Sequence, residues 1–229
     1  LFVRQFGTNN LPDCSNMCHE SSGVGLTETI GVGKGTVSLH DLEHSEAIFI
    51  FGQNPGSNHP RMLTSLQAAK RQGAKIVADV AFLKGLCKAL IERDDAGQDV
   101  LDKKFIAEFC LGFNDFKQDM SDTSWADIEQ GSGLTQSQIN QAADIACASK
   151  KTICCWAMGM TQHKNAVANI QLMTNFLMLQ GNLGKPGAGV CPVRGHSNVQ
   201  GDRTMGIWEK PTDSFLDALQ QTYHFTVPR

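Results

Sequence analysis

Ala47-Ile48-Phe49-Ile50-Phe51-Gly52-Gln53-Asn54-Pro55-Gly56-Ser57-Asn58-His59-Pro60 is the stretch on which the fold turns. Five apolar residues in a row have the length of a strand buried on both faces. They run out into two prolines, two glycines and two asparagines, which read as a loop. A helix follows from about Arg61, with Met62, Leu63, Leu66 and Ala69 on one face. Gly73 ends it, and Ala74-Lys75-Ile76-Val77 reads as a second short strand. Strand, polar loop, helix and strand make a βαβ unit. In open parallel sheets ligands sit at the carboxyl ends of the strands. The Gly52–Pro60 loop therefore stands at a binding edge, and its Gln and two Asn favour a ligand over a plain connection.

The pattern repeats further along. Thr152-Ile153-Cys154-Cys155-Trp156-Ala157 is a third strand candidate, and it too ends in polar residues, Met158-Gly159-Met160-Thr161-Gln162-His163. Helices are predicted for Val100–Leu111, Gln136–Ala148, Ala166–Leu179 and Asp213–Tyr223. Thr135 with Gln138 three residues later is a capping box for the second of these. Phe113–Met120 is a short segment of mixed charge, followed by a polar loop through Trp125. Residues 21–36 alternate glycine with apolar residues and fit either a helix start or a glycine-rich loop. A phosphate loop is excluded there, because Lys34 is followed by Gly35 and position 29 is Thr. Gln180–Gly189 holds four glycines in ten residues and reads as an irregular loop. Val190–Val193 leads from it into the donor-rich run Arg194–Arg203. One join is tight: Val77 passes almost directly into a helix ending near Arg93, with Asp79 as its natural N-cap.

Composition narrows the function. The chain has 229 residues, 41% hydrophobic and 19% charged, which are globular values. A net charge of -3 and a pI near 6.2 supply no basic field for nucleic acid. No apolar run reaches the roughly 18 residues of a membrane segment. The chain starts at Leu1, shows no signal peptide, and reads as cut from something longer. Its eight cysteines lack framework spacing, which points to reduced thiols and the cytoplasm. Cys154-Cys155 read as small buried hydrophobes, and Cys87, Cys110 and Cys147 fall on apolar helical faces. There is no Cys-x-x-Cys, hence no zinc or iron–sulfur knuckle in this stretch.

Cys18-His19 is the chemically loaded pair. It follows Pro12-Asp13-Cys14-Ser15-Asn16-Met17 and precedes a glycine-containing turn. A thiol beside an imidazole is either a nucleophile with its base or a soft ligand for a redox metal. A partly buried structural Cys beside a surface His carries equal weight from these residues alone.

Five motifs in one order break the tie. They are Cys18-His19; Gly52-Gln53-Asn54-Pro55 with His59-Pro60; Met158-Gly159-Met160-Thr161-Gln162-His163; Gly181-Asn182-Leu183-Gly184-Lys185-Pro186 with Gly189; and Pro192-Val193-Arg194-Gly195 with Asn198-Val199-Gln200-Gly201. Together, over nearly the whole chain, they resemble the molybdopterin oxidoreductases of the DMSO reductase superfamily, in the formate dehydrogenase-like branch of alpha subunits. The resemblance implies an α/β fold with a Rossmann-like open, mostly parallel sheet flanked by helices. It implies molybdenum bis(molybdopterin guanine dinucleotide) as cofactor, or its tungsten form, and a 4Fe-4S cluster in the full-length protein but outside this stretch. It implies two-electron oxidation of formate or a similar small anion, with the missing domains of the same chain and an electron-transfer partner completing the enzyme.

By position, the resemblance makes Cys18 the metal ligand, His19 the proton relay and Arg194 the anion-binding residue. Two residues after that Arg the formate dehydrogenases carry Gln; His196 stands here, which leaves the substrate open. Gly52, Gln53, Asn54, Asn58, Met158 and Gln162 match residues that hold a dinucleotide, with Asp79 near its guanine end. The whole of 1–229 then reads as one molybdopterin-binding domain within a larger chain. Relatives have a further stretch after the strand matching Ala74–Val77, so a segment between 77 and 79 reads as omitted.

Overall fold

The computed structural model describes residues 1–11, 13–78, 82–162, 164–196 and 199–229. Ala47–Phe51 forms β1, buried at every position. Lys75–Ala78 forms β2, Thr152–Trp156 forms β3 and Gly189–Pro192 forms β4. They make one sheet in the order β2-β1-β3-β4, and every pairing is parallel. Ala47 is opposite both Lys75 and Thr152, so β1 is the central ruler of the register. The expected α/β architecture is present, and the sheet is wholly parallel.

Side chains alternate across the sheet. Phe49, Phe51, Cys154, Trp156 and Val190 enter the larger core with the helices Leu83–Asp95, Gln136–Ala148 and Ala166–Leu179. Phe49 meets Phe176 edge-on, ring centres 5.2 Å apart. Ile48, Ile50, Ile153 and Cys155 enter a smaller core with Leu42 and with Leu66 and Ala69 of the helix Met62–Arg71. Burying such a side chain fully is worth about 2 kcal/mol. The continuous apolar reading of β1 and β3 follows from these two covers.

The chain divides into two compact units. One is Ser21–Val193, which holds the sheet. The other combines Leu1–Glu20 with Arg194–Arg229. In the second, Arg4 is 2% exposed and donates to Asn9 Oδ1 at 3.0 Å and to the Trp208 carbonyl at 3.2 Å. Asn9 Nδ2 donates to the Pro228 carbonyl at 2.6 Å. The helix Asp213–Tyr223, predicted to its ends, is capped by Thr212, which accepts from the Phe215 N–H.

Several local expectations change. Pro55–Asn58 is a short helix inside the predicted loop, started by Asn54 as cap and proline at its first turn. Residues 20–30 resolve as a helix, with glycines where it meets a neighbour: a Cβ on Gly25 would lie 2.9 Å from Ile170. The Val100–Leu111 helix shrinks to Lys103–Phe109, because Asp102 caps it. The segment from Phe113 is a helix to Asp122, reaching into the expected polar loop, and Trp125–Ser132, for which no element was expected, is another helix. The helix near Arg93 runs Leu83–Asp95 without a side-chain cap. Asp79 lies outside the described residues. The capping box at Thr135 and Gln138 is formed as predicted, and Ala166–Leu179 has its predicted ends.

Asp41 ties two segments of the sheet unit. It accepts from the Ser38 hydroxyl at 2.6 Å, the Ser38 N–H at 2.9 Å and the Gly187 N–H at 2.9 Å. These bonds, the Ser38 hydroxyl first, lower its carboxyl to about 2. The unfolded value is about 3.9, so the stabilisation is complete above that and is lost as pH falls through about 2. In acid unfolding followed by circular dichroism, Asp41→Asn should flatten the stability slope over that window and leave the neutral-pH slope unchanged.

Candidate functional site

The strand order places a topological switch between β1 and β3. The connection from β1 leads outward to β2, and the next strand returns to the other side of β1. Ligands of parallel sheets bind at such a point, beyond the carboxyl ends. Here the two strand ends interlock. The Gly159 N–H donates to the Gly52 carbonyl at 3.0 Å, and the Ala157 N–H to the Phe51 carbonyl at 3.3 Å. Gly52 sits at φ +54, and a Cβ on it would be 2.6 Å from the Gly159 carbonyl carbon and the Met160 nitrogen. A Cβ on Gly159 would be 2.6 Å from Gly52 Cα. Two backbones touch with no room for a side chain. Gly159 was quoted in the sequence motif but not singled out; its signal was a glycine in the third position after a buried strand.

Around this contact stand the predicted residues. Gln53 Nε2 is 3.2 Å from His59 Nδ1 and 3.1 Å from Met62 Sδ. Gln53 Oε1 is buried with no hydrogen-bond partner. A buried amide oxygen left unmet costs about 1–3 kcal/mol, so this atom has an acceptor to offer. Asn54 Oδ1 is occupied by the Ser57 N–H at 3.2 Å, so this oxygen serves the short helix Pro55–Asn58. Asn58 is exposed on that helix. Met158 starts the helix Met158–Thr161, and Gln162 ends it exposed. The structure thus gathers Gly52, Gln53, Met158 and Gln162 at adjacent strand ends. A cavity of about 610 Å³ has Met160, Asn165 and Asn169 in its wall. Another of about 680 Å³, walled by Lys103, Ile106, Phe113 and Lys117, contains no candidate residue.

Trp156, at the end of β3, is fully buried, and its Nε1 donates to Ser22 Oγ at 2.8 Å. Ser21 Oγ donates to the Thr161 carbonyl at 3.4 Å. These bonds fix the start of the helix Glu20–Ile30 against the β3 end.

Cys18, His19, Arg194 and His196 all fall in the other unit. Cys18 is 5% exposed and His19 is 1% exposed. The bland expectation of a surface histidine is therefore corrected. A 3-10 turn, Cys14–Met17, leads into them, and the Glu20–Ile30 helix begins just after. Asn16 Nδ2 donates to Glu209 Oε1 at 2.8 Å. Arg203 Nε donates to Asp13 Oδ2 at 2.8 Å, and its Nη2 to Glu20 Oε2 at 2.5 Å. The guanidinium also lies 5.1 Å from the centre of the Trp208 ring. Burial alone would lower Arg203; its bonds to Asp13 and Glu20 outweigh that and raise it. Arg194 is half-buried and His196 exposed. Among the described residues, no three His, Cys, Asp or Glu side chains converge as a metal cage. Among the described residues no cysteine is in a disulfide.

A family model described as molybdopterin oxidoreductase matches residues 2–219. The chain belongs to the molybdopterin oxidoreductase family. It is 45% identical over 273 aligned residues to Protein YdeP of Escherichia coli, covering 100% of the chain and 36% of that protein. It is 32% identical to formate dehydrogenase H of Escherichia coli, covering 87% of the chain and 30% of that protein. The acetylene hydratase from Pelobacter acetylenicus superposes with a TM-score of 0.65 at 18% identity, covering 83% of the chain and 28% of the hydratase. That likeness concerns the fold. The chain spans about a third of the length of the curated relatives it matches. The family implies a molybdenum–pterin cofactor. Among the described residues no helix is long and apolar enough to cross a membrane.

Proposed function

We propose that this chain is the part of a formate dehydrogenase-like molybdopterin oxidoreductase that supplies the metal's protein ligand and much of one dinucleotide contact. The observation that carries the dinucleotide reading is the buried, partnerless Gln53 Oε1 at the β1 end, beside the interlocked Gly52 and Gly159. It suits an N–H donor such as guanine offers. Gly52, Gln53, Asn54, Asn58, Met158 and Gln162 would hold the molybdopterin guanine dinucleotide, with Asp79 near the guanine. Cys18 would ligate molybdenum, since a soft thiolate suits a metal held by sulfur. Since no three His, Cys, Asp or Glu side chains converge among the described residues, the other donors would come from the pterin dithiolenes. The bound group supplies a two-electron acceptor.

The chain's own residues do the rest. Arg194 binds the carboxylate of formate or a similar small anion through paired N–H donors. Burial of Cys18 and His19 excludes water from the reacting centre. His19 takes the proton as formate becomes carbon dioxide and gives up two electrons. A 4Fe-4S cluster outside this stretch would supply the onward path for those electrons to an electron-transfer partner. Cysteines without disulfides fit a reducing compartment, the cytoplasm. The alignment with YdeP has 273 positions against 229 residues here, which supports a segment missing from this chain, placed by the tight join between 77 and 79.

His196, standing where formate dehydrogenases have Gln, favours a second reading: the same scaffold acting on another small anion. The test is metal analysis and formate-dependent dye reduction on the full-length protein. Bound molybdenum with formate turnover supports the first reading. Bound molybdenum without formate turnover moves the conclusion to the second. Protein that neither binds molybdenum nor reduces dye would sink both and favour a Cys/His hydrolase. The 229-residue chain by itself should not retain stoichiometric molybdenum.

A further inference from the structure

We propose that Arg203 is a positioning residue for the Cys18-His19 segment, one guanidinium holding both ends of the stretch that carries the thiol. This rests on reading Cys18 as the metal ligand. Asp13 lies five residues before Cys18, and Glu20 two after it. Arg203 bonds the first at 2.8 Å and the second at 2.5 Å. The bonds span about 190 residues of sequence separation, so neither end is held by its neighbours alone.

An exposed ion pair would carry little weight. This one differs in three respects. The Asp13 side chain is 1% exposed, so its charge needs a partner. The guanidinium is flat and shared between two carboxylates, a task its fork performs and a lysine ammonium does not. Its face is against Trp208, which fixes its plane. Asn16, midway along the same stretch, is tied to Glu209. Glu20 is also the first residue of the helix Glu20–Ile30, so the bond at that end holds the residue next to His19. The thiol is thereby held in place before a metal arrives, which lowers the ordering cost of binding.

The test uses cofactor-free full-length protein and follows alkylation of Cys18 by iodoacetamide with peptide mass spectrometry. Cys87 and Cys154 report on the fold of the sheet unit, since both are fully buried and burial raises both thiols, and resistance of the buried Arg4 to trypsin reports on the unit that holds Cys18. Arg203→Ala should speed Cys18 alkylation by about tenfold while Cys87 and Cys154 stay silent. Arg203→Lys should restore part of the protection. An unchanged Cys18 rate in a folded Arg203→Ala protein overturns the proposal. Should Cys87 react or trypsin cut at Arg4, that variant has lost its fold and Glu20→Gln decides: faster Cys18 alkylation supports the clamp, an unchanged rate overturns it. The ligand reading fails separately. If X-ray absorption on molybdenum-loaded protein counts the same sulfur donors in Cys18→Ala as in wild type, Cys18 is not the ligand, whatever the alkylation rates show.

Discussion

Gly159→Ala should empty the protein of its pterin cofactor and lower its stability by about 3 kcal/mol, at the upper end of the usual range for overpacking. The new methyl carbon would stand 2.6 Å from Gly52 Cα and 2.7 Å from the Gly52 carbonyl oxygen, both backbone atoms. Neither can turn aside as a flexible side-chain tip would. The strand ends must separate, and the 3.0 Å bond from the Gly159 N–H to Gly52 is lost. Gln53 follows directly on Gly52, so its orphaned Oε1 moves with the strand end. The melting point should fall by roughly 10 °C, and pterin fluorescence released on denaturation should drop to background. Gly52→Ala adds left-handed strain of about 1 kcal/mol at φ +54 and should be at least as harmful. Gly56→Ala in the same loop is the control. Its nearest contact is 3.4 Å away, so its stability should change by less than about 0.5 kcal/mol. Equal pterin content in the Gly56 and Gly159 variants would remove the β1/β3 crossing from the cofactor site.

The crossing shows where sequence reading succeeds and stops. β1 and β3 were legible because each is an unbroken apolar run ended by breakers. Their polar ends were legible as the carboxyl edge of the sheet because breakers close each run. The contact of Gly52 with Gly159 was not, since it joins residues far apart in the chain and depends on strand order. β4 escaped for a local reason. Gly189-Val190-Cys191-Pro192 begins at φ +140 and ends in proline, and its carbonyl at Val190 is met from outside by the Thr36 N–H at 2.9 Å. Its strand character comes from pairing with β3, not from its own residues. The helix Trp125–Ser132 had readable signals: Ser124 and Asp127 at its start and left-handed Gly133 at its end. The Asp13–Arg203–Glu20 bridge had none, because opposite charges at such separation carry no local pattern.

Cys18→Ala should separate ligation from cofactor capture. In the full-length protein it should lower substrate-dependent dye reduction by more than about a hundredfold, since loss of an outer-shell partner alone costs about 10- to 100-fold. Its fold should survive. Cys18 is 5% exposed and loses one sulfur atom, a change of about 1 kcal/mol by the volume removed. Its pterin content should stay at the wild-type level, because the strand-end residues Gly52, Gln53, Met158 and Gln162 are untouched. The Gly159→Ala variant should show the opposite pairing, with the Cys18 thiol intact and the pterin gone. A structural Cys18 predicts neither pattern. It would leave turnover near wild type in Cys18→Ala, with any loss matched by a fall in melting point. A nucleophilic Cys18 predicts lost turnover in both metal-free and metal-loaded protein. Only a ligand predicts that molybdenum and pterin remain while its sulfur coordination and its turnover are both lost. Measuring pterin, molybdenum and dye reduction on the same two variants therefore distinguishes the three roles that a buried thiol beside a buried imidazole can play.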